Sequence, residues 1–233
     1  MSKYKYILMD NDGTLMDFLK AQATALEIAW SQCKSIGDTK FTPDMLEIYD
    51  RVNDSWWKKL ERAECTKDEL LTGRYRDFLA EAGVKGDENE ISKLYEINLS
   101  QQKFLLPNAV ETMKKLSEKY RVFIVTNGVA FVQHGRLDDC EFTPYYEKMY
   151  ISEETGFAKP DKRFFDFVLN DIGDSDLSAY LVVGDSLTSD IKGANNVGID
   201  CVWVNPSEKE VPSGVKVNYQ VKSVAELGEI LSL

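Results

Sequence analysis

Apolar and polar positions alternate in two different rhythms along this chain. Tyr4 to Met9 reads Tyr-Lys-Tyr-Ile-Leu-Met and stops at a polar run, Asp10 to Thr14, which predicts a strand ending in a polar loop. Val122 to Val125 is an unbroken apolar run, as expected of a strand buried on both faces of a parallel sheet. Met149–Ile151, Tyr180–Val183 and Cys201–Val204 read the same way. Helical spacing separates these strands at Val110–Lys119, Phe131–Asp138, Asp161–Leu169 and Ser189–Val197. That order predicts an open α/β sheet of right-handed βαβ units. Ser223 and Glu226 have capping-box spacing before a last short helix.

Between about Asp17 and Lys103 the rhythm is helical only. Leu19, Ala23, Leu26 and Trp30 share a helix face. Thr42 with Pro43 opens a second helix, which carries Val52, Trp56 and Leu60 on one side. Thr66 and Glu69 form a capping box for a third helix that stops at Gly83, and Ile91, Leu94 and Tyr95 indicate a fourth. The expected organisation is therefore discontinuous: a core of residues 1–16 and 104–233, interrupted by a helical domain of residues 17–103.

Composition narrows the function classes. A net charge of −11 argues against a nucleic-acid polymer as partner, because backbone binding needs clustered Lys and Arg. A small phosphorylated ligand needs only a local positive site. No apolar run approaches the length of a membrane span, and Asp10 and Asp12 interrupt the first apolar stretch, so no membrane partner and a cytoplasmic location are expected. Cys33, Cys65, Cys140 and Cys201 are dispersed, which suggests neither a zinc knuckle nor a disulfide framework. With His134 as its one histidine, the chain cannot build a two-histidine metal site within one subunit. His134 itself reads as an ordinary helix-surface residue.

Ligands of open α/β sheets bind beyond the carboxyl ends of the strands. There the sequence places Asp10-Asn11-Asp12-Gly13-Thr14, Thr126-Asn127-Gly128, Lys159-Pro160 and Gly184-Asp185, followed by Asp190. Each group alone has a bland reading as a turn, a cap or a helix start. Together, in this order, they can transfer a phosphoryl group through a covalent intermediate. Asp10 offers a carboxylate nucleophile, and Asp12 a general acid and base. Asp10 and Asp185 offer hard oxygen ligands to magnesium, which a carboxylate needs before it can approach a phosphate. The Thr126 hydroxyl and the backbone amides that follow it, at Asn127 and beyond, can bind phosphate oxygens, and Lys159 adds fixed positive charge.

With these four motifs the chain resembles the haloacid dehalogenase superfamily of phosphatases over essentially its whole length. The resemblance implies a Rossmann-like, doubly wound parallel sheet with an inserted helical cap and an aspartyl-phosphate mechanism. It implies Asp10 as nucleophile and metal ligand, and Asp12 as acid/base lending its backbone carbonyl to the metal. Thr126 and Lys159 would bind the phosphoryl group, and Asp185 the metal. Asp190 would lie behind them, orienting Lys159 or a metal-bound water. A narrower similarity, to bacterial pyrimidine-type 5′-nucleotidases, rests on Leu15–Phe18, Trp57–Glu64 with Thr66, Leu70, Arg74 and Tyr75, then Gln133, Arg136, Ile151–Gly156 and Lys159–Asp161. It implies a nucleoside monophosphate substrate, with Phe18 and Trp57 as candidates to touch the base. Of adjacent Trp56 and Trp57, about 100° apart on a helix, one is expected in the core.

Other readings stay open at this stage. A phosphatase or phosphomutase for sugar or polyol phosphates carries the same motifs. A phosphonatase would need a cap lysine such as Lys58 or Lys59, and a dehalogenase would lack the acid Asp12. A receiver domain is about half this length and has no helical insert. A catalytically retired binding module is the non-enzyme alternative, and all the expected catalytic residues are present.

Overall fold

The computed structural model describes residues 3–231, and among these the chain separates into two compact units. One comprises the chain up to Phe18 together with the chain from Lys103 onward; the other is Leu19–Gln102.

The first unit is built on six parallel strands: β1 (Tyr6–Met9), β2 (Arg121–Thr126), β3 (Lys148–Ile151), β4 (Tyr180–Gly184), β5 (Asp200–Val204) and β6 (Tyr219–Val221). Their order in the sheet is β3-β2-β1-β4-β5-β6. The central strands are apolar throughout because both faces are covered. Ile7, Met9, Val122, Ile124, Leu181 and Val183 point to one side, where they meet Met113 and Leu116 of α5 (Ala109–Ser117) and Leu227 of α10 (Leu227–Leu231). Leu8, Phe123, Val125, Tyr180 and Val182 point to the other, against Phe164 and Val168 of α8 (Lys162–Ile172) and Ala194 of α9 (Lys192–Val197). Each fully buried aliphatic or phenylalanine side chain contributes about 1.5–3 kcal/mol, so the two faces supply most of the driving force for this unit.

The order of strands positions the site. From β1 the chain winds outward to β2 and β3, then returns to β4 beside β1 and winds the other way. Beyond the carboxyl ends of β1 and β4 lies the reversal point where open sheets take their ligands. The segment after β1 leaves and re-enters as a paired ribbon: Asp17 donates to the carbonyl of Phe104 (3.0 Å), and Leu106 to that of Leu15 (2.9 Å).

The second unit holds most of α1 (Phe18–Gln32), then α2 (Pro43–Glu61), α3 (Lys67–Glu81) and α4 (Glu88–Ser100). Its centre is aromatic, with Tyr49 stacked on Tyr75 and their hydroxyls 3.0 Å apart, and Phe78 edge-on to both Tyr49 and Trp30. The Thr66–Glu69 capping box opens α3 as its spacing predicts, and α3 stops just before Gly83, whose φ is +67°. Trp56 is the core member of its pair, with its indole N–H donated to Asp77 at 2.9 Å, whereas Trp57 is half-buried beneath the ammonium of Lys67.

Two local expectations need correction. Ser223 makes no capping hydrogen bond; the Glu226 carboxylate instead accepts from the backbone N–H of Lys222, one residue earlier. Thr42 stands at the cap position before Pro43, yet its side chain makes no capping bond either. The strand β6 was not foreseen, because Tyr219-Gln220-Val221 is short and only Val221 is buried. No helix among the described residues is long and apolar enough to cross a membrane.

Candidate active site

β1 delivers Asp10 to the reversal point, where it is 6% exposed. One carboxylate oxygen accepts from the Lys159 ammonium at 2.7 Å, and the other from the Thr14 hydroxyl at 3.1 Å. Lys159, 2% exposed, uses all three ammonium protons: on Asp10, on the Val125 carbonyl (2.8 Å) and on Asp190 (2.6 Å). Asn127 holds the lysine from behind. Its side-chain amide donates to the Lys159 carbonyl and accepts from the Lys159 N–H, both at 2.8 Å. The side chain of Asn127 therefore positions Lys159.

Asp190 comes from a π-helical turn, Leu187–Ile191, that leads into α9. With Asp10 and Asp185 it forms a group whose carboxylate oxygens lie within 4.8 Å of one another. Gly13 makes this closeness possible. Its φ of +83° suits glycine, and a Cβ there would lie 2.5 Å from Asp185 Oδ2.

The electrostatics follow from crowding. Burial pushes the Asp10 carboxyl well above its ordinary value, and the charge of Asp190 pushes it further, against the pull of Lys159. The Asp185 carboxylate is open to solvent on one side, yet the crevice walls desolvate it and Asp190 repels it, raising it to about 7. Burial draws the Lys159 ammonium down, but Asp10 and Asp190 overcome this and hold it above the usual lysine range. Three carboxylates thus face one ammonium. Such a set of hard oxygen donors, short of positive charge, fits a small divalent cation such as magnesium, which takes carboxylates together with waters. The residues that would hold it are Asp10 and Asp185, with Asp190 beside them.

Thr126, 2% exposed, ends β2 with its hydroxyl accepting from the Gly128 N–H at 3.0 Å. Asp12 is half-buried, and its carboxylate turns to α6 (Ala130–Leu137): Gln133 Nε2 donates to Oδ2 at 2.7 Å and the Arg136 guanidinium pairs with Oδ1. Phe18 lies in the same unit with the Arg136 guanidinium 6.0 Å from its ring centre. Trp57 belongs to the helical unit. His134 sits on the exposed side of α6 and pairs with Glu154, so it is not part of the cluster.

Residues 4–198 match the haloacid dehalogenase-like hydrolases, a stretch that includes every residue of the cluster. The chain belongs to the haloacid dehalogenase-like hydrolases. Within this family it is 33% identical to the pyrimidine 5′-nucleotidase PynA of Streptococcus pneumoniae, over 98% of this chain and 95% of that one. It is 32% identical to the pyrimidine 5′-nucleotidase YjjG of Escherichia coli, over 98% of each. The crystal structure of YfnB from Bacillus subtilis, bound to magnesium, superposes with a TM-score of 0.92 at 32% identity, covering 99% of each chain. The six-stranded parallel sheet is thus the core of a haloacid dehalogenase-like hydrolase, as the four motifs imply.

Sequence reasoning drew no role from Gln133 and Arg136, although both matched the narrower similarity. The available signal was their position: two polar residues at i and i+3, between Val132 and Leu137 on the buried side of α6.

Proposed function

We propose that this hydrolase is a magnesium-dependent phosphomonoesterase that works through an aspartyl phosphate, with pyrimidine nucleoside 5′-monophosphates as its preferred substrates. The observation that carries the reading is Asp10, a carboxylate at the end of β1 held by Lys159 and Thr14 with a second carboxylate, Asp12, two residues on. The choice of nucleotides rests on similarity to two pyrimidine 5′-nucleotidases over almost the whole chain.

In the first step an Asp10 oxygen attacks phosphorus. The ester P–O bond breaks, its electron pair leaves on the alkoxide oxygen, and Asp12 gives that oxygen a proton. In the second step Asp12 takes a proton from water as the water oxygen attacks phosphorus. The bond to Asp10 then breaks, releasing inorganic phosphate and restoring the carboxylate. As the Asp10 oxygen turns to phosphorus, the Lys159 hydrogen bond it accepted passes to a non-bridging oxygen, which the Thr126 hydroxyl also binds, while Asp190 and the Val125 carbonyl keep Lys159 in place. Asp10, Asp185 and the Asp12 backbone carbonyl would hold magnesium, which would supply the positive charge that lets an anionic nucleophile meet an anionic phosphate. We assign residues 17–103 the role of a cap that keeps bulk water out. Phe18 and Trp57 are the aromatic side chains assigned to the base.

The test is release of inorganic phosphate from a panel of esters by the purified protein with magnesium. Pyrimidine 5′-monophosphates should be cleaved with the highest kcat/KM and hexose phosphates poorly. A preference for sugar phosphates over every nucleotide would remove the nucleotidase assignment and leave the phosphatase; no phosphate from any ester would remove both.

A further inference from the structure

Asp12 has to face the leaving oxygen in one step and a water in the next, yet it stands on a loop where two side-chain torsions are free to turn. Two side chains of α6 take hold of it. Gln133 Nε2 donates to one oxygen at 2.7 Å, and the Arg136 guanidinium binds the other. Gln133 is 1% exposed and Arg136 0%. Gln133 is itself fixed, because its carbonyl oxygen accepts from Asn11 Nδ2 at 2.7 Å. Gly128 makes room for it, since a Cβ at that position would lie 2.3 Å from Gln133 Nε2. The last residue of the Thr126-Asn127-Gly128 motif thus serves Asp12 through Gln133. A fully buried guanidinium is costly unless its charge is matched, so Arg136 and Asp12 hold each other in place.

We propose that Gln133 and Arg136 are positioning residues for leaving-group protonation: they grip the two oxygens of the resting Asp12 carboxylate, and the same two donors keep the carboxyl's direction once Oδ2 carries the proton that goes to the ester oxygen. The proposal rests on the phosphatase reading above. A carboxyl displaced by about 1 Å can lose much of its catalytic contribution even though its chemistry is unchanged. The grip also accounts for two buried polar side chains on a helix face that would otherwise be apolar.

Leaving-group dependence distinguishes positioning from support of the fold. An alkyl phosphate needs its departing oxygen protonated, whereas 4-nitrophenyl phosphate releases a stable phenolate and needs little acid help. The quantity to compare is kcat/KM, which reports transition-state stabilisation relative to free enzyme and substrate. Gln133→Met, close in shape but unable to donate, should lower kcat/KM about 10- to 100-fold on an alkyl ester and less than about threefold on the nitrophenyl ester. In an Asp12→Asn background the same change should add almost nothing on either ester. Arg136→Met should show the same selectivity, and Arg136→Lys should recover part of the alkyl activity. Should Arg136→Met fail to fold, the Gln133 series still decides. Equal losses on both esters, or an undiminished Gln133 effect without Asp12, would assign these residues to the fold and overturn the proposal. So would full activity of Gln133→Met on the alkyl ester. A wild-type protein inactive on both esters would remove the phosphatase reading itself, an outcome distinct from any of these.

Discussion

The α/β unit gathers Asp10, Asp185 and Asp190 around the ammonium of Lys159, whereas the helical unit encloses one guanidinium, Arg74, among tyrosine rings. Arg74 is 3% exposed and donates to the Asn53 amide oxygen at 3.0 Å, with Tyr75 and Tyr95 at 5.0 and 5.3 Å. Asn53 in turn donates to Gln22, and Gln22 to Asp50. That charge is spread through amides and π faces, with the carboxylates of Asp50, at the end of the amide chain, and Glu96 as its acidic neighbours. The strand-end cluster does the reverse. It concentrates like charge where burial makes repulsion expensive and leaves one lysine to offset it. Concentrated, under-compensated charge marks a site prepared for a cation or a reaction, and dispersed charge marks a packed core.

The comparison breaks hardest at Asp10. Asp10→Asn should reduce phosphate release to background, because an amide cannot form the acyl phosphate, and steady-state assays of the folded variant would show it. Arg74→Met should lower stability by about 1–3 kcal/mol, because it leaves the buried Asn53 amide oxygen without its donor; an unchanged Tm would show that the guanidinium is dispensable to this core.

Magnesium should stabilise the α/β cluster measurably. At a hundredfold excess over its Kd the gain is about 2.7 kcal/mol, a rise in Tm of roughly 5–10 °C for a chain of this size. Asp185→Asn should abolish most of that rise. In chelated protein, Asp185 is raised to about 7 when folded, so the folded state holds its proton more tightly than the unfolded chain. Its contribution therefore falls as pH climbs from about 4 to about 7. Asp185→Asn should flatten this decline, and scans of Tm against pH in a chelator would reveal an unchanged slope if the assignment is wrong.

The smallest effect belongs to Glu90 in the helical unit, which accepts from the backbone N–H groups of Lys34 and Ser35, both at 2.9 Å. Bonds to the Ser35 hydroxyl and to these backbone groups hold its carboxyl down to about 2. Its stabilisation is complete above the unfolded value near 4.3 and is lost as pH falls toward about 2. Glu90→Gln should therefore lower Tm slightly at neutral pH and make no difference near pH 2; a constant deficit at all pH values would point to packing instead.

Much of this was legible in the chain. Strands such as Val122–Val125 show themselves because burial on both faces demands continuous apolar sequence; Asp10 and Asp185 stand directly beyond strand ends, Thr126 closes β2, and Lys159 lies in the stretch that follows β3. What could not be read is whatever depends on a partner far along the chain. Gln133 meets Asp12 across 121 residues. The use of Asn127 on the Lys159 backbone is equally invisible in a turn-like triplet. The Ser223 cap misled because capping-box spacing permits the bond but does not require it, and Glu226 had a nearer N–H to serve. Edge strand β6 escaped notice because edge strands need little apolar sequence.

The central claim is that Asp10 carries the phosphoryl group. Protein mixed with magnesium and a good phosphate ester, quenched in acid within one turnover and digested, should yield a single phosphorylated peptide, and fragmentation of that peptide, which also contains Asp12 and Asp17, should place the phosphate on Asp10. Trapping with a fluoride mimic of the phosphoryl group should mark the same residue. Phosphate on Asp12 or Asp17, or full turnover by Asp10→Asn, would contradict the account.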